Sequence, residues 1–148
     1  MKLFQIEEPD GSPADPDAPG VAIGIDVNGA LAEVAVAVGG NAALLADREG
    51  FALDLAVPAP GASPDAWQYL FEGARLRAER MLAQPVTHAV LAVARAPDAG
   101  FAALLSAAST AAGMTLLQIV GRDAIGADAP AVGAAILAED LAPRPAAP

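Results

Sequence analysis

The stretch VAIGIDVNGALAEVAVAVGGNAALLA, Val21 to Ala46, decides the fold. Ile23 and Ile25 alternate with smaller residues among strand-forming types, and Asn28-Gly29 follows as a pair that tolerates positive φ in a two-residue hairpin turn. A second run, Leu31 to Val38, carries Val34, Val36 and Val38, and Gly39-Gly40-Asn41 then turns the chain into a third run, Ala42 to Ala46. The reading is three antiparallel strands. Asp26 stands out, because aspartate disfavours strands and here it ends a run that reads as buried. It either caps the turn, as Asp often does, or is the remnant of a metal or phosphate site.

Downstream, Phe51, Leu53, Leu55 and Val57 alternate with Ala52, Asp54 and Ala56, the period of a half-buried strand. A helix then opens with Ser63 as N-cap, Pro64 at its first position and Asp65 near the positive end of its dipole. Trp67, Leu70, Phe71, Ala74, Ala78, Met81 and Leu82 share one face. Glu72, Arg75, Arg77, Glu79 and Arg80 fall on the other and read as a solvated face. Pro85 is expected to stop the helix. His88 to Ala94 is apolar on both faces, as a central parallel strand should be. His88 is the only histidine, and at a strand entrance it reads as structural. A second helix runs from Pro97 or Asp98 to Ala112, closed by Gly113 as a left-handed cap. Thr115 to Val120 is the next strand and Pro130 to Leu141 the last helix. Antiparallel strands followed by two helix-linked parallel strands give an α/β fold with a ribonuclease-H-like mixed five-stranded sheet.

The chain has 148 residues, enough for one core and too few for two. Residues 21–142 are read as that domain and residues 143–148 as a disordered tail. Pro9 to Gly20 holds four prolines and three aspartates and reads as a flexible linker, so residues 1–20 form a flexible acidic segment. Leu3, Phe4 and Ile6 ahead of it are an added edge strand, a docking peptide for a partner, or a frayed end. A formal net charge of −10, with Lys2 the only lysine, argues against nucleic acid, which needs clustered cations. Without cysteine there is no disulfide framework and no thiolate metal site. Ala99 to Gly121 carries no charge, but Gly113 divides it and Ser106, Thr110 and Gln118 dilute it, so a buried helix and strand are expected rather than a membrane span. No secretory signal pattern opens the chain, which makes the cytoplasm the expected location.

GIDVNGA, Gly24 to Ala30, resembles the first phosphate loop of the DnaK-type heat-shock chaperones, whose pattern is G-I-D-L-G-T-T. Ala78 to Ala127 is similar to the segment of the same ATPase domain that runs from A-E-x-x-L-G-x-P-V to E-P-T-A-A. AVGAAILAEDL, Ala131 to Leu141, is similar to its closing A-x-G-A-A helix. The resemblance implies a single, truncated lobe, equivalent to one actin-like ATPase subdomain. In that family Asp26 would match the aspartate that orients the metal. Asn28, Gly29 and Ala30 replace the glycine and both threonines, Ala94 replaces a proline, and Arg122 replaces a glutamate. Asp26, Asn28 and Gly29 are thus the remnant of a nucleotide site, with no catalytic residue, no metal site and no ATP or Mg²⁺ expected.

What the resemblance implies is a non-catalytic, chaperone-related interaction or scaffold module. Its partner is expected to be a protein, with a second copy in a homodimer replacing the absent lobe. Two alternatives remain open. One is nucleotide binding without turnover. The other is a small ribonuclease-H-like nuclease or resolvase, for which Asp26, Glu72 or Glu79, Asp98, Asp123 and Asp128 are the available carboxylates.

Overall fold

The computed structural model describes residues 21–39, 41–45, 55–59, 61–125 and 129–143. Its elements are β1 (Val21–Asp26), β2 (Glu33–Val38), β3 (Asn41–Leu44), α1 (Pro64–Leu82), β4 (Val86–Val93), α2 (Ala99–Ala111), β5 (Thr115–Gly121), α3 (Arg122–Ile125) and α4 (Pro130–Leu141). The five strands lie in the order β3-β2-β1-β4-β5. β2 pairs antiparallel with β1 and β3, whereas β4 runs parallel to β1 and β5. The ribonuclease-H-like mixed sheet is therefore present, with helices on both faces.

Strand alternation sorts the two faces. Ile23, Ile25, Val34, Val36, Ala89 and Leu91 join Trp67, Phe71, Ala74 and Ala78 of α1 and Leu105 and Ala108 of α2 in the main core. The opposite residues, Ala22, Val90, Ala92, Ala35 and Ala37, pack under Ala131, Ala134, Ala135 and Ala138 of α4. Gly24 sets that second contact. A Cβ built there would stand 2.3 Å from the Ala135 nitrogen and 2.4 Å from the Ala131 oxygen, so helix backbone rests on strand backbone.

Two local expectations change, the turn after β1 and the charged face of α1. The Asn28-Gly29 turn is not a two-residue hairpin: Asp26 pairs with Glu33, leaving residues 27–32 as a loop, and neither Asn28 nor Gly29 has positive φ. The loop is held from outside. Ala32 donates to the Leu55 carbonyl at 2.7 Å, Val57 donates to the Ala30 carbonyl at 2.9 Å, and Leu31 bridges Ala56. The expected strand over 51–57 is thus represented by its described end, residues 55–57, as a single bridge; residues 51–54 lie outside the described residues.

The helix α1 stops before Pro85. Ala83 takes a left-handed conformation, φ 53°, and donates to the Glu79 carbonyl. The charged face of α1 is not simply solvated either. Arg75 donates through Nε to the Ala112 carbonyl at 2.8 Å and through its guanidinium to Glu79 at 2.8 Å, and Glu79 accepts from the Val86 backbone at 3.0 Å. One ion pair therefore ties α1 to the end of α2 and the start of β4. Gly113, φ 93°, closes α2 as expected. Leu3, Phe4 and Ile6, with the rest of residues 1–20, lie outside the described residues, as do residues 144–148.

Candidate functional site

In a sheet with parallel strands the chain leaves a crevice beyond the carboxyl ends of the strands, where neighbouring connections diverge. Here that rim is formed by the ends of β1, β4 and β5. The helix α2 begins six residues after the β4 terminus, and α1 runs back to the opposite end before β4 starts, so the N-termini of both helices face the rim.

Asp26 ends β1 at this rim and is only 6% exposed. Its Oδ1 accepts from the Asn28 backbone at 3.0 Å and also from the Asn28 side-chain amide. The bond to the amide two residues on is the aspartate-centred turn that a short carboxylate makes readily. Asn28 Oδ1 is buried with no hydrogen-bond partner among the described residues. Asp26 and Asn28 are thus brought together, and Gly29 stands exposed beside them. At the same rim Leu31 is 58% exposed, and Phe101, in the first turn of α2, is 37% exposed. Phe101 stands edge-on to Trp67 with ring centroids 5.6 Å apart.

Of the other candidate carboxylates, three are bonded to other groups. Asp98 caps α2 by accepting from the Phe101 backbone at 2.8 Å. Glu72 accepts from Gln68 at 3.2 Å, Glu79 belongs to the ion pair with Arg75, and Asp123 sits on α3. Asp128 lies outside the described residues. Among the described residues no group of three or more His, Asp or Glu is placed to hold a metal ion. The chain matches no protein-family model and no curated protein.

His88 lies at the other end of the sheet, near the start of β4, with the Thr87 hydroxyl 2.7 Å from its Nδ1. Burial lowers its pKa from the usual 6.5, since removing water penalises the imidazolium. No helix among the described residues is long and apolar enough to cross a membrane. Two features escaped sequence reading. The first is the rim position of Leu31, which reads locally as a strand residue. The second is a groove of about 400 Å³ between α2 and β5, floored by Leu116 and Ile119; the uncharged run TLLQIVG was its only signal.

Proposed function

We propose that this protein is a non-catalytic protein-interaction module that associates with a second copy of itself through the rim at the carboxyl ends of β1, β4 and β5. The observation that carries the reading is the pairing of a buried Asp26 braced by Asn28 with an exposed Leu31 and Phe101 where a phosphoryl-transfer enzyme would hold its metal. Phosphoryl transfer rests on positioning and on charge stabilisation by several converging groups. One carboxylate bonded to its own loop supplies neither. Exposed apolar residues are instead what an interface uses, and two copies related by a two-fold axis would present the same patch to each other.

This reading extends the resemblance to a DnaK-type ATPase lobe: the second copy takes the place of the second lobe, and the cytoplasm is the compartment. Sedimentation velocity over a concentration series tests it. The expected result is a dimer that Leu31→Asp converts to a monomer; a wild-type chain that stays monomeric at every concentration sinks it.

A second reading is nucleotide binding without turnover, favoured by the buried Asp26 at the end of β1 and the unpartnered Asn28 Oδ1. Calorimetry with ATP and ADP in the presence of Mg²⁺ separates the two. Saturable heat that disappears in Asp26→Asn selects nucleotide binding. Heat of dilution alone leaves the interaction module.

A further inference from the structure

Among the described residues β5 is an edge strand, hydrogen-bonded within the sheet only to β4. Natural edges are usually blunted by charge, proline or cover, yet Thr115 to Gly121 contains neither a charged residue nor a proline. An irregularity in the ladder opposite Ala89 and Val90 leaves Leu117 out of register, and beyond it Gln118 to Gly121 pair regularly with Val90 to Val93. The regular part of this open edge is thus a four-residue tract.

Both sides of the edge are half-covered apolar surface. On the α2 side, Leu116 and Ile119 are partly buried against the main core and floor the groove that Ala102 and Ser106 wall. On the α4 side, Leu117 and Leu137 are partly buried against the second cluster. An extended segment with apolar residues on both of its faces would complete both layers at once.

We infer that Leu3 to Ile6 of this chain add to β5 as an antiparallel edge strand, with Phe4 and Ile6 over the groove and Leu3 on the α4 side. The length and position of the preceding chain carry the choice of occupant. Val21 opens β1 at the same end of the sheet where Thr115 opens β5, because the two strands run parallel through β4. Two strand spacings separate them, about 10 Å. Residues 9–20 span up to about 40 Å when extended, so the connection closes along one end of the sheet without crossing a face. Antiparallel addition needs no crossover, whereas parallel addition would have to pass over a helix layer. The prolines of the segment, Pro9, Pro13, Pro16 and Pro19, all fall in the connection and none in the pairing tract, where a missing N–H would interrupt the ladder.

The chain has no cysteine, so Gln5→Cys gives a single site for a nitroxide label on the full-length protein. The expected result is selective paramagnetic loss of the amide signals of Leu117, Gln118 and Ile119, with those of β3 at the far edge retained. The same label in a Phe4→Asp/Ile6→Asp background should restore the β5 signals while the rest of the spectrum stays unchanged, since neither position lies within residues 21–143. Loss spread evenly over the surface, or loss that survives the double substitution, overturns the inference. So does loss seen between differently isotope-labelled copies in a mixed sample, which would assign the edge to a second molecule.

Discussion

The two faces of the sheet are built on opposite terms. Under α1 and α2 the core is made of large interlocking side chains, Phe71, Leu70, Trp67, Leu105 and Met114 against Ile23, Ile25 and Leu91. Under α4 it is made mostly of alanines, with Val90 and Val120 among them and helix backbone resting on Gly24. The first face gains stability from volume and the second from closeness. A substitution that removes atoms should therefore hurt the first, and one that adds atoms should hurt the second.

The largest effect is expected from Phe71→Ala, which empties the centre of the larger core and should cost about 4 kcal/mol in chemical denaturation. Gly24→Ala comes next at about 3 kcal/mol, because the atoms its methyl group meets are backbone and cannot rotate away. Gly29→Ala is the internal control. The nearest atom to a Cβ there is 3.7 Å away and its φ is ordinary, so a change within about 0.5 kcal/mol is expected. Equal losses for the two glycine variants would break the contrast between the faces.

The ion pair on α1 adds a polar element to the larger face, where it ties α1 to the end of α2 and the start of β4. Arg75→Met removes the bond to the Ala112 carbonyl and frees Glu79, both partly exposed, and should cost about 1 kcal/mol. A double-mutant cycle with Glu79→Gln should give a coupling energy clearly different from zero. Ala83→Gly should act in the other direction, stabilising by about 0.5 to 1 kcal/mol, since the left-handed conformation at φ 53° suits glycine.

Much of this architecture was legible because local and global signals agree. The alternation in β1 and β2, the Ser63-Pro64 start of α1 and the Asp98 and Gly113 ends of α2 are each signalled within a few residues, and each element stands where expected, although the Ser63 side chain makes no cap bond. The failures share a different cause. Asn28-Gly29 has turn chemistry, but residues 55–57 dock on the loop and set its length. Arg75 and Glu79 have helix-surface spacing, but the carbonyl that Arg75 reaches is 37 residues away. Gly24 reads as part of a phosphate loop, whereas the contact that demands a glycine comes from α4. Of the site, Asp26 and Asn28 were visible as residues, but the loop bonding that occupies Asp26 was not.

The smallest effect concerns His88. Burial lowers its pKa in the folded chain, so the unfolded chain binds the proton more readily, and its contribution to stability is complete above pH 6.5 and declines as the pH falls through the lowered folded value. The melting temperature should drop slightly more between neutral and mildly acidic pH in the wild type than in His88→Gln. Identical pH profiles would mean that burial at this strand entrance has no energetic consequence.

The claim that a second copy covers the rim is tested most directly by isotope-filtered nuclear Overhauser spectroscopy on a mixture of labelled and unlabelled chains. Contacts from the Leu31 methyl groups of one copy to the other copy, lost in Leu31→Asp, are the expected result. Their absence under conditions where the wild-type spectrum is complete, and sedimentation is that of a monomer, would contradict it.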